Sequence, residues 1–128
     1  MAASTDLWGN IDTQEIKRTP LSILKEQAML LGKKTRNVIE AKVETRPYSG
    51  GWLGHKLLLV APVLDNYTYE LVEIYHPIQL YPVSPDSLVA SQEKLLPDEA
   101  SFMKWLGERL SSSETHRIVT NLLSQSRS

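Results

Sequence analysis

The apolar residues of this chain are densest between Trp52 and Val83, where they form the short runs and alternations found in strands. From Leu57 to Ala61 every residue is apolar, a pattern typical of a strand that is covered on both faces or lies at the centre of a sheet. Pro62, which cannot donate to a neighbouring strand, and the turn-forming pair Asp65-Asn66 predict that the chain reverses here. We therefore expect this stretch to form the middle of an antiparallel sheet.

The ten residues after this turn are rich in the aromatic and β-branched residues that strands favour. Strict alternation places Tyr67, Tyr69 and Tyr75 on one face of the strand. By the same rule Glu70 and Glu73 point to opposite faces. The sequence therefore predicts that these two carboxylates do not act as a pair.

Two further segments complete the predicted sheet. Residues 37–46 alternate as a half-buried strand at one edge, with Ile39, Ala41 and Val43 facing inward. The run from Ile78 to Val83 follows one proline and contains another, which confines it to the opposite edge. Such an edge can accept a strand from another chain.

One helix is predicted before the sheet. Thr19 is a good N-cap, Pro20 fits the first helical position, and the helix is expected to end at Gly32. Its apolar face recurs at helical spacing through Leu21, Leu24, Ala28 and Leu31.

Two helices are predicted after the sheet. The first begins at Asp98, whose side chain can cap it, and ends near Leu110. The second begins after Ser111, which together with Glu114 three residues later resembles a capping box. The stretch 88–96 fits either a short strand or a loop.

These elements predict a single α+β domain over residues 19–123, with an N-terminal helix, an antiparallel meander sheet of about four strands, and two C-terminal helices packed on one face. Residues 1–18 are expected to form a tail, and residues 124–128 a frayed C-terminus. A length of 128 residues suits one hydrophobic core.

Composition narrows the function classes. The chain has no cysteine, so disulfides, thiolate metal sites and cysteine nucleophiles are excluded. Its longest apolar run, Leu57 to Leu64, is far shorter than a membrane-spanning helix, and the N-terminus lacks an export signal. We therefore expect a cytoplasmic protein without membrane contact.

Charge is distributed unevenly along the chain. Residues 17–59 carry nine Lys or Arg against three Glu, and residues 60–100 carry seven Asp or Glu against one Lys. The resulting dipolar character either guides the encounter with a partner or is neutralised within the fold.

Recognisable catalytic motifs are missing, since the sequence contains no G-x-S-x-G elbow, Walker loop or dinucleotide fingerprint. His55 and His76 lie on adjacent predicted strands with Asp65 in the loop between them, which allows a pocket, metal or acid-base cluster. Strand-end histidines without such a role are the simpler interpretation, and no metal or cofactor is predicted.

A nucleic-acid interaction is a weaker alternative. The basic first helix and the tyrosines of the sheet favour it, because bases stack on aromatic rings. The strands that carry the tyrosines are acidic, which argues against a phosphate-binding groove there.

A protein partner or self-association is the favoured interpretation. Leu7 and Trp8 are apolar residues in a polar tail, and they either anchor a partner or fold back over the domain. With Tyr67, Tyr69 and Tyr75 they form the candidate interaction set. The sequence thus predicts a non-enzymatic interaction module, acting as a homo-oligomer or an accessory subunit.

The principal alternative is a small-molecule binding domain or enzyme. Its pocket would lie between the sheet and the C-terminal helices and would involve Tyr69, Tyr75, His55 and His76.

Overall fold

The computed structural model describes residues 4–15, 17–88 and 92–128 and shows the predicted α+β architecture. Its helices and strands are, in chain order, α1 Pro20–Lys34, β1 Glu40–Tyr48, β2 Trp52–Ala61, β3 Tyr67–His76, β4 Ser84–Pro85, α2 Glu99–Leu110 and α3 Ser113–Ser126. The four strands form one antiparallel sheet in the order β1-β2-β3-β4, which confirms the meander. Residues 1–3 and 16 of the predicted tail, and 89–91 of the ambiguous stretch, lie outside the described residues.

Helix α1 begins as the sequence predicts. The side chains of Thr19 and Ser22 cap each other's backbone amides, and Pro20 occupies the first turn. The helix continues two residues beyond the predicted end at Gly32, because the buried Thr35 supplies the C-terminal cap. The Thr35 hydroxyl donates to the carbonyl oxygen of Ile39 at 2.7 Å, which fixes the turn into β1.

All three helices pack on one face of the sheet, around two separate apolar clusters. The first joins α1 and α2 to the sheet through Ile23, Leu24, Ala28, Leu57, Val72, Ile74, Val83, Phe102 and Leu106. The second joins α3 to the other end of the sheet through Ile39, Leu59, Ala61 and Leu122. Ala41 and Leu71 contact both clusters and therefore lie between them.

A β-bulge in β3 makes the predicted alternation wrong for half of this strand. Leu57 pairs with Val72 but Leu58 pairs with Glu70, so Leu71 is an extra residue. The extra residue reverses the alternation, and Leu71 joins Val72 in the core under the helices. Glu70 consequently lies on the same face as Glu73, contrary to the prediction.

The predicted edge strand 78–83 is also wrong. The amide of Leu80 donates to the Pro77 carbonyl in a turn, and only Ser84–Pro85 pairs with β3. The prolines lack amide hydrogens, so this segment cannot supply a regular ladder. Val83 instead forms an isolated bridge with Leu96.

Helix α2 is fixed by one buried ring and one ion pair. Phe102 is completely buried, and its ring stacks on Trp105 with centroids 6.3 Å apart. Arg109 lies 4.9 Å over the Trp105 ring and binds both carboxylate oxygens of Asp86, at 3.2 and 2.8 Å. These contacts tie the helix to the chain that leaves β4.

Helix α3 differs from its prediction at both ends. Its N-cap is Ser112, which accepts from the amide of Thr115, and not Ser111 with Glu114. The helix continues through Ser126, so most of the segment predicted to fray is helical.

Gly54→Ala is expected to lower the free energy of unfolding by about 1–3 kcal/mol, because overpacking forces rings or backbone to move. A Cβ at Gly54 would lie 2.5 Å from Cε2 of Tyr48 and 2.8 Å from Cε1 of Tyr75. Those two rings meet edge to face, 5.2 Å apart, directly over the glycine. Urea unfolding of both proteins measures the difference, and an unchanged midpoint would show that the rings yield freely.

Candidate functional site

A large apolar groove lies between α1 on one side and the α2–α3 pair on the other, with the sheet as its floor. Its volume is about 630 Å³, within the range of ligand and side-chain binding pockets. Its lining comprises Ile23, Gln27, Leu30, Leu31, Lys34, Thr35, Ala41, Leu57, Leu59, Leu71, Met103, Leu106, Gly107, Leu110, Ser111, Thr115, His116, Val119, Thr120 and Leu123.

The groove exists because the two core clusters do not merge. Its floor is formed by Ala41 and Leu71, which lie between the clusters, and by the buried cluster members Leu57 and Leu59. Ala41 has the smallest side chain of the four, so it fills little of the space that the helices leave open. A concave apolar surface of this volume is a usual location for a binding site.

The rim of the groove combines exposed apolar residues with a few polar ones. Leu30 and Met103 stand on opposite walls, 36% and 39% exposed. Lys34 and His116 are the only residues of the lining that can carry a positive charge, and no Asp or Glu is among them. The groove therefore suits an apolar group that belongs to a neutral or acidic molecule.

At Gly107 the α2 wall of the groove has no side chain. A Cβ built at this position meets nothing within 4 Å, so a side chain there would project into open space. A guest can approach the helix backbone closely at this point.

The structure brings His55 and His76 together on the helix face of the sheet. Their Nε2 atoms lie 2.7 Å apart and both side chains are buried. His76 Nδ1 lies 2.8 Å from the Pro77 carbonyl, which can only accept. With both rings neutral, His76 Nε2 accepts from His55 Nε2–H, and His55 Nδ1 accepts from the Thr45 hydroxyl at 2.8 Å.

This pair is a buried hydrogen-bonded unit and not a metal centre. The rings are in direct contact, whereas two histidines on one zinc ion need about 2.0–2.1 Å from each nitrogen to the metal. Asp65 lies in the β2–β3 turn at the other end of these strands and does not join the pair. Burial is the main cause that lowers the pKa of His55 from 6.5 to about 4, followed by its coulombic interactions with His76 and Lys25.

Glu70 and Glu73 form a carboxylate pair on the opposite face of the sheet, which corrects the sequence prediction. Burial and a hydrogen bond with Glu70 raise the pKa of Glu73. Lys56 binds Glu70 at 3.4 Å, and the Tyr75 hydroxyl donates to Glu73. The four side chains form a connected network on this face.

The predicted interaction residues lie in three different places. Leu7 and Trp8 are 89% and 81% exposed, so the alternative in which Trp8 folds back over the domain is wrong. Tyr67 and Tyr69 line a second cavity of about 400 Å³ beside α3. Tyr75 is buried against Tyr48 and cannot present its ring to a partner. A role for the other four in binding stays a prediction.

The groove lies between the sheet and the C-terminal helices, as in the alternative small-molecule prediction, but the predicted pocket residues do not line it. None of His55, His76, Tyr69 and Tyr75 belongs to its lining. One signal was present: α1, α2 and α3 each carry more apolar residues than one core stripe requires, including Leu30, Met103 and Val119. Those surplus residues form the walls.

Comparison of the chain with protein-family models, with curated protein sequences and with solved structures found no match. Among the helices in the described part of the chain, none is long and apolar enough to cross a membrane. Within residues 4–15, 17–88 and 92–128, no three His, Asp or Glu side chains come together as a metal site.

Proposed function

We propose that this protein is a protein–protein interaction module, a homo-oligomer or an accessory subunit, that receives apolar side chains of its partner in the groove between α1 and the α2–α3 pair. The observation that carries the proposal is the apolar groove itself, which has a volume of about 630 Å³ above a sheet floor shared by the two apolar clusters.

The rim favours a protein over a small ligand. A small ligand fills a pocket and leaves the outer surface in water, but Leu30 and Met103 stand on the rim and are more than a third exposed. Met29, on the outer side of α1, is 54% exposed. Covering these residues requires a surface that extends beyond the groove, and a flexible methionine adapts to such surfaces.

The matched pair Gly107→Leu and Gly107→Ala tests this function. A leucine at position 107 projects into the groove and should block it, whereas an alanine leaves it open. Self-association, or co-purification of a defined polypeptide from the native host, should be retained by Gly107→Ala and lost by Gly107→Leu. Equal association by wild type and both variants would reject the groove as the binding face.

Gly107→Ala has a separate expected effect on stability. Position 107 lies inside α2, where glycine is about 0.5–1 kcal/mol less favourable than alanine. Because a Cβ finds free space there, thermal unfolding should show a corresponding increase in stability. A lower melting temperature would mean that the wall is packed more closely than described.

A small amphiphile with an anionic head group is the second candidate guest. Lys34 and His116 on the rim would bind the head group, and the apolar floor would bind its tail. Native mass spectrometry distinguishes the two: an adduct of a few hundred daltons that Gly107→Leu removes favours the amphiphile, and a second polypeptide favours the interaction module.

A further inference from the structure

We infer that the partner is a second copy of this chain, whose N-terminal segment Ser4–Glu15 places Leu7, Trp8 and Ile11 in the groove. This inference rests on the proposed function and names the partner. The same chain has an apolar groove and an exposed apolar segment.

The segment exposes its apolar side chains to an unusual degree. Leu7, Trp8 and Ile11 are 89%, 81% and 62% exposed, within a stretch that is otherwise polar. Local hydrogen bonds form two turns in this segment. Asp6 Oδ1 accepts from the amide of Trp8 in a turn that contains Leu7, and Asp12 Oδ1 accepts from the amides of Gln14 and Glu15 in a turn after Ile11. Turns that are already formed reduce the ordering that binding requires.

Charge also matches between segment and groove. Residues 4–15 contain Asp6, Asp12 and Glu15 and no Lys or Arg. The groove lining contains Lys34 and His116 and no carboxylate. Docking therefore brings an acidic segment against a neutral to basic rim, an arrangement that favours correct encounter.

The entry into α1 favours a second copy over the chain's own groove. Thr19, with ψ of 159°, is held extended by the capping box, and the residue before a proline disfavours a helical turn. In the structure Leu7, Trp8 and Ile11 are exposed, and none of them belongs to the lining of the groove in the same chain.

Mutual exchange of the N-terminal segments between two copies produces a closed dimer. Each copy gives one segment and receives one, so a twofold dimer uses both segments and both grooves and leaves none free for further growth. A tryptophan buries about 150–250 Å² on docking, and its central place in the segment makes Trp8 the expected hot spot.

Sedimentation equilibrium of the full chain, from about 1 µM to about 1 mM, tests the inference. Wild type and Gly107→Ala should show the same reversible dimer. Trp8→Ala should raise the dimer dissociation constant about thirtyfold or more, the loss that defines a hot spot. Gly107→Leu should have a comparable effect from the groove side.

Mixing the two weakened variants gives the sharpest result. Trp8→Ala retains an intact groove and Gly107→Leu retains an intact segment, so an equimolar mixture should form a 1:1 heterodimer through a single docked segment. Each variant alone should be monomeric at the same concentration. Circular dichroism of both variants checks that they fold.

A monomeric wild type across the whole range, or a dimer that Trp8→Ala leaves unchanged, overturns the inference. A mixture that stays monomeric overturns it as well. If Gly107→Leu loses a different polypeptide while Trp8→Ala has no effect, the second copy is rejected and the groove function stands. If Gly107→Leu changes no association at all, both fail.

Discussion

Phe102→Ala is expected to lower the free energy of unfolding by about 3–5 kcal/mol, the usual loss when a fully buried aromatic ring is truncated. Phe102 is completely buried, and it belongs to the first apolar cluster together with Val72 and Ile74 of β3. Truncation removes this packing and leaves a cavity under the helix that forms one wall of the groove. Urea unfolding followed by circular dichroism measures the change.

Met103→Ala is the matched control on the same helix. Met103 is 39% exposed at the groove rim, so its truncation should cost less than about 1 kcal/mol. If the two variants lose similar stability, α2 is not anchored by Phe102, and the description of the groove wall is wrong.

Acid should destabilise the protein by roughly 3 kcal/mol through His55 alone between pH 7 and pH 4. The pKa of His55 is about 4 in the folded chain and 6.5 in the absence of the fold. Within this window the unfolded chain binds more protons than the folded chain, so the free energy of unfolding falls as the pH falls. Well above the unfolded-state pKa of 6.5, the side chain contributes no slope.

His55→Gln removes this titration and His116→Gln serves as control, since His116 lies exposed on α3. We expect wild type and His116→Gln to lose roughly 3 kcal/mol more than His55→Gln from pH 7 to pH 4. Chemical unfolding at half-unit pH intervals gives the comparison. If the free energy of unfolding changes with pH in the same way for all three proteins, the result would contradict the buried, neutral state of His55.

The sequence predicted those parts of the fold that depend on local chemistry. Thr19 and Asp98 cap α1 and α2 as expected, because a cap is set by a side chain and the amide three residues later. The continuous apolar run in β2 correctly predicted a central strand.

The predictions for β3 and for the edge strand were wrong for different reasons. A bulge at Leu71 depends on how two strands fit together, and a single strand's alternation contains no information about it. That one extra residue moved Glu70 to the face of Glu73. The prolines around residues 78–83 correctly indicated that strand pairing is limited there, but the predicted strand was too long.

The candidate site was less predictable than the fold. The exposure of Leu7 and Trp8 follows from a polar tail with no helical or strand pattern, and the sequence left it as one of two alternatives. The groove depends on two apolar clusters that stay apart, with Ala41 between them. Such a gap is a property of packing among three helices and a sheet, which no single segment encodes.

Site-specific photo-crosslinking in the native host tests the groove most directly. A photoreactive residue replaces Gln27 in the groove lining, and in a control it replaces Lys42, which is exposed on the opposite face of the sheet. We predict that position 27 cross-links to a defined polypeptide, a second copy or an accessory partner, and that position 42 does not. Equal cross-linking at both positions, or none at position 27, would contradict a partner in the groove.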